Sequence, residues 1–81
     1  MNIYRVEFFA KCPVNGIRIK YLLRIETTRV IRVESLLAAA EDIGGGYHEA
    51  IADDLASLFP GRQTLTAEHH GVHIETTRGA E

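Results

Sequence analysis

The sequence has no tryptophan, one cysteine and two prolines, and its aromatic residues amount to 7%. A lone thiol, Cys12, closes no internal disulfide, which excludes a disulfide-stapled scaffold and points to a reducing compartment. Neither charge dominates: nine basic and eleven acidic residues give a formal net charge of −2. That balance argues against a general nucleic-acid binder and against an acidic mimic of one. No apolar run approaches bilayer-spanning length, and Met1-Asn2-Ile3-Tyr4-Arg5-Val6-Glu7 alternates instead of forming a signal peptide. A cytoplasmic protein without membrane association is expected. Phosphate loops, dinucleotide fingerprints and nucleophile elbows are missing too, so no catalytic residue and no cofactor is assigned.

What remains is ordinary globular material, 46% hydrophobic and 25% charged, enough for one small domain over residues 1–81. A core of that size is marginal, and burying a further face in an oligomer would help it. The stretch from Val33 to Phe59 organises the rest. Val33, Leu36, Leu37, Ala40 and Ile43 recur at helical spacing, as do Tyr47, Ile51, Leu55, Leu58 and Phe59. Gly44-Gly45-Gly46 separates the two helices and Pro60-Gly61 stops the second. On the second helix, His48, Glu49, Asp53, Asp54 and Ser57 form a polar side, with acids favoured near its start by the dipole.

Strand-like alternation flanks this helical segment. Ile3 to Lys11 and Ile17 to Thr28 form a first hairpin around Asn15-Gly16, a sequence that favours a tight turn. Taking Asn15-Gly16 as a two-residue loop pairs Phe8 with Leu23, Val6 with Ile25 and Ala10 with Tyr21 on an apolar face. On the other face it sets Glu7 against Arg24, Arg5 against Glu26 and Lys11 against Lys20. The same register puts Phe9 opposite Leu22, a small apolar spot among charges. Gln63 to His69 and Val72 to Arg78 form the last hairpin around His70-Gly71, with Ala67 facing Ile74, Leu65 facing Thr76, Glu68 facing His73 and Thr66 facing Glu75. Gly79-Ala80-Glu81 is expected to fray. The expected fold class is α+β, in the order ββααββ. It is a four-stranded antiparallel sheet with two helices packed on one face.

Several residue groups invite a chemical reading. Ile25-Glu26-Thr27-Thr28-Arg29 recurs as Ile74-Glu75-Thr76-Thr77-Arg78, and shared strand-end demands account for the match better than duplicated sites do. His69, His70 and His73 cluster in sequence but alternate across a strand and a turn, so no metal site is assigned. Cys12 has no histidine near it in the chain and reads as a structural thiol. Asp53, Asp54 and Glu49 lack the loop geometry of a calcium site. Arg18, Lys20 and Arg24 line one strand beside Phe9, a combination that single-strand binders use.

The element order resembles the tunnelling fold of pterin and purine enzymes, which is likewise two strands, two helices and two strands. The resemblance lies in topology and covers nearly the whole chain. It implies edge-to-edge joining of protomers into a ring, with a glutamate anchoring a heterocycle, for which Glu75 is the nearest candidate and His73 its neighbour. The zinc-binding histidines of the pyruvoyl-tetrahydropterin synthase branch have no match in the first hairpin.

The expected function is a small non-enzymatic protein-interaction module, accessory or inhibitory. It would associate with itself or another protein through the open sheet face or a sheet edge. Phe9 would anchor the contact within the Phe9–Leu22 spot, with Arg18, Lys20 and Arg24 as its rim. A pterin- or purine-type ligand in a tunnelling-fold-like oligomer is the first alternative, and single-stranded nucleic acid on the basic strand the second.

Overall fold

A computed structural model describes residues 1–79. The elements run β1 (Asn2–Lys11), β2 (Arg18–Thr27), α1 (Val33–Asp42), α2 (His48–Leu58), β3 (Arg62–His69) and β4 (Val72–Arg78). The four strands form one antiparallel sheet in the order β1-β2-β3-β4. This is the expected α+β architecture. Gly79 is described, whereas the expected fraying of Ala80 and Glu81 lies outside the described residues.

Period-two alternation fixes which side chains face the helices. On β2 those are Ile19, Tyr21, Leu23, Ile25 and Thr27, all buried, and on β3 they are Gln63, Leu65 and Ala67. Phe8 and Ala10 of β1 join them, and Phe8 stacks on Tyr21 with ring centroids 5.3 Å apart. Leu36 and Ala40 of α1, and Ile51, Ala52 and Leu55 of α2, close the core from above. α1 lies over β1 and α2 over β4. Val33 and Leu37, expected to cover the sheet, are instead more than half exposed, as are Tyr47 and Leu58. Each helix is short and sits near one margin of the sheet, so only the inner part of its apolar stripe finds strands to cover.

The first hairpin departs from the expected register. Phe8 faces Tyr21, Val6 faces Leu23 and Ala10 faces Ile19, while Phe9 faces Lys20, Glu7 faces Leu22, Arg5 faces Arg24 and Lys11 faces Arg18. The slip is of two residues, which keeps every side chain on its expected face but replaces every cross-strand partner. The cause lies in the loop. A type I′ turn needs positive φ at both central residues. Gly16 has φ 73°, whereas Asn15 is not among the positive-φ residues. Asn15 Oδ1 instead accepts the Ile17 N–H at 3.0 Å, and the Gly16 N–H closes a wider turn onto the Cys12 carbonyl. The second hairpin has the tight turn, at His70 (φ 53°) and Gly71 (φ 83°), and its register is the expected one throughout.

One outer edge is partly closed. The Lys11 N–H donates to the Gly44 carbonyl and the Gly46 N–H to the Lys11 carbonyl, so the glycine segment after α1 lies against the end of β1. A Cβ on Gly45 would come within 2.9 Å of the Lys11 carbonyl oxygen, closer than real side chains approach. Nearby, the Tyr4 hydroxyl accepts the Ile31 N–H at 2.9 Å and so ties the β2–α1 connection to β1.

Candidate functional site

The uncovered face of the sheet carries Ile3, Arg5, Glu7 and Phe9 from β1, and Arg18, Lys20, Leu22, Arg24 and Glu26 from β2. Phe9 is 51% exposed and Leu22 37%. They do not sit opposite one another. Phe9 faces Lys20 and Leu22 faces Glu7, so the two apolar groups lie on a diagonal. The Arg18 guanidinium rests over the Phe9 ring, 4.7 Å from its centroid, a geometry that attracts a cation to an aromatic face. Lys20 pairs with Glu7 at 2.6 Å across the diagonal, and Arg24 pairs with Glu26 at 2.9 Å along its own strand. The expected Glu7–Arg24 and Arg5–Glu26 pairs are therefore replaced by different partnerships. Such exposed pairs contribute about 0–1 kcal/mol each, so their consequence here is mainly for charge pattern. Two cations of the basic strand already have acids beside them.

Arg5 is the residue the sequence reading overlooked. It stands opposite Arg24, a like charge, and has no ion pair or hydrogen bond of its own side chain among the described residues. The wrong register had hidden this by giving it Glu26.

Glu75 and His73, the candidates for a heterocyclic ligand, are exposed on the same open face at the other margin of the sheet. His73 faces Glu68, as expected. The two Ile-Glu-Thr-Thr-Arg segments occupy different settings. Ile25 is fully buried in an inner strand, whereas Ile74 is half-buried in an outer one. Arg78 pairs with Asp53 of α2 at 2.7 Å, while Arg29 lies beyond the end of β2.

At the hairpin-loop end of the molecule, Cys12, Tyr21, Tyr47, His48, Ala67 and His69 line a mostly apolar cavity of about 120 Å³. His69 Nε2 lies 3.2 Å from Cys12 Sγ, so a histidine distant in sequence does reach the thiol. That spacing is within reach for a thiol and a base. Yet Cys12 is 3% exposed, and no third group orients the His69 ring by a hydrogen bond among the described residues. Next to this pair, Asn15 Nδ2 and His70 Nε2 meet at 3.1 Å, joining the two hairpin loops. Among the described residues no three histidine, cysteine, aspartate or glutamate side chains converge as metal ligands.

His48 corrects another expectation. Read as part of the polar side of α2, it is in fact 8% exposed. It opens the helix directly over β3, and its Nε2 donates to the Leu65 carbonyl at 3.1 Å. Nδ1 is buried with no hydrogen-bond partner among the described residues. Burial pushes its pKa below the ordinary histidine value, opposed by the Leu65 carbonyl and the Glu49 charge. The neutral ring is therefore the native form. Because the folded-state pKa is lowered, this contribution to stability is full above the unfolded value of about 6.5 and is lost as pH falls through the folded one. Urea midpoints should fall between pH 7.5 and 5.5 in the wild type and change less in His48→Gln. An equal drop in both proteins would remove His48 as the cause.

Comparison with family models, curated proteins and solved structures yields no match. Among the described residues no helix is long and apolar enough to cross a membrane.

Proposed function

We propose that this protein is a non-enzymatic interaction module that associates with itself through the uncovered sheet surface along β1 and β2. One observation carries the reading: Phe9 is held half exposed under the Arg18 guanidinium on the face opposite α1 and α2. A ring fixed in that way presents apolar area at little further cost in side-chain order, which is how aromatic anchors act in interfaces. Leu22 extends the apolar area, and Arg18, Lys20 and Arg24 form its rim. A domain of this size also gains stability from any further apolar face it buries.

Phe9→Ala should weaken self-association by about 1–3 kcal/mol, roughly five- to a hundredfold in dissociation constant. Phe9 contributes nothing to the buried core, so the urea midpoint of the dilute protein should stay within the range of ordinary surface changes. Sedimentation across a concentration series measures the first effect and urea titration the second. Unchanged association would remove Phe9 as the anchor.

A further inference from the structure

The free edge of β1 has a property that neither its burial nor its composition announces. Cys12 donates its N–H to the Ile17 carbonyl, across the hairpin. With the antiparallel pairing of β1 and β2, this fixes the even-numbered residues of β1 as the ones whose backbone groups face β2. The odd-numbered residues direct N–H and C=O outward, and Lys11 bears this out, since its outward pair is taken by Gly44 and Gly46. Ile3, Arg5, Glu7 and Phe9 are left with backbone groups on an edge that no other described strand covers. Their side chains all stand on the open face, and read in order they are apolar, cationic, anionic, apolar.

That order is its own complement when reversed. We propose that β1 pairs antiparallel with β1 of a second copy about a twofold axis at Val6, joining the two sheets into one. This rests on the self-association reading above and moves its contact to the β1 edge of that surface, with Phe9 still at the joint. In this register Arg5 faces Glu7 of the second copy, Glu7 faces its Arg5, and Ile3 and Phe9 face one another on both sides of the axis. Each of these pairs exchanges two backbone hydrogen bonds, because odd residues meet odd residues. Shifting by two residues in one direction sets Arg5 against Arg5, and in the other sets Glu7 against Glu7, both disfavoured.

Three observations support this partner over any other. Among the described residues Arg5 has no ion pair and faces Arg24, and the second copy supplies an acid. The Gly44–Gly46 segment blocks the edge at Lys11, so pairing ends where the Ile3–Phe9 match ends. Around the same margin, the exposed Leu37 of α1 lines an open groove of about 480 Å³ with Val6 and Phe8 on the helix side and Phe9 on the open face. A second β1 laid beside the first would close it. The pairing is isologous, so it closes at two copies.

The test uses charge reversal, read by light scattering and sedimentation of the full chain. Arg5→Glu alone and Glu7→Arg alone each turn two attractive contacts into repulsive ones and should weaken the dimer at least about tenfold. Mixed in equal amounts, the two variants should form a heterodimer, because each supplies the charge the other lacks. Val6→Cys in a Cys12→Ser background should oxidise to a covalent dimer across the axis, at a non-hydrogen-bonded pair whose Cα atoms lie close enough for a disulfide. Tyr4→Cys in the same background should not. A wild-type dimer that both reversals leave intact would overturn the β1 register while leaving self-association standing. A wild-type monomer at every concentration would overturn both.

Discussion

Leu55→Ala lowers the unfolding free energy by about 2–5 kcal/mol, the range for emptying a fully packed leucine site. Leu55 is 1% exposed, and it is the residue with which α2 closes the core over the sheet. The site has little capacity to collapse around the deletion, because Ile51 and Ala52 on the same helix are themselves locked against the sheet. A chain of 81 residues carries about 4–12 kcal/mol of total stability at ordinary values per residue. The substitution therefore removes a large fraction of it. A urea titration should find the midpoint lowered by about a sixth or more with an unchanged slope. A shift no greater than that of an exposed control such as Leu58→Ala would contradict the assignment of Leu55 to the core.

Gln63→Glu should be as damaging through a different mechanism. Gln63 is 3% exposed, and its Nε2 donates to the Leu55 carbonyl at 3.2 Å and the Phe59 carbonyl at 2.9 Å. It thus adds a second donor at the Leu55 carbonyl, which also accepts the Phe59 N–H at 3.1 Å, and satisfies the Phe59 carbonyl just past the end of α2. Glutamate has the same shape but turns two donors into an acceptor-only carboxylate facing two carbonyl oxygens. An uncompensated buried charge costs about 3–5 kcal/mol. The folded-state pKa of the introduced carboxyl would be raised by burial and by those oxygens. Its penalty is then smallest below the unfolded value of about 4.3 and grows as pH rises through the folded one. Urea midpoints of the variant relative to the wild type, at pH 4 and pH 7, measure this. An equal deficit at both would show that the lost hydrogen bonds, and not the charge, are responsible.

The element order, both faces of every strand and the whole second hairpin were legible in the sequence, because period-two alternation survives any even slip. The first hairpin's partners were not. Asn15-Gly16 and His70-Gly71 look alike as turn sequences, and a tight turn forms only at the second. Two plausible charge pairs supported the wrong register, and exposed pairs are too weak to overrule a loop that spends Asn15 on the Ile17 N–H. The helical spacing located both helices but overstated what they bury, since Val33, Leu37, Tyr47 and Leu58 belong to stripes wider than the sheet beneath them. Of the candidate site, Phe9, Leu22 and their basic neighbours were readable from alternation alone. The like-charge partner of Arg5, the burial of His48 and the meeting of Cys12 with His69 depend on the register or on how distant segments converge. The reversed symmetry of Ile3, Arg5, Glu7 and Phe9 was present in the sequence, but it gained meaning only once the outward direction of their backbone groups was known.

The order β1-β2-β3-β4 divides the molecule in an unexpected place. β1, β2 and α1 form one strand-strand-helix half, and α2, β3 and β4 form the other, each with its helix over its own outer strand. The halves meet along β2 and β3, where Leu23, Ile25 and Leu65 are each no more than 2% exposed. Gly44-Gly45-Gly46 carries the chain from one half to the other. The domain is thus built like a heterodimer whose subunits are tethered. The tether holds the halves at a high effective concentration, and without it the seam through the centre of the sheet would have to be assembled by collision.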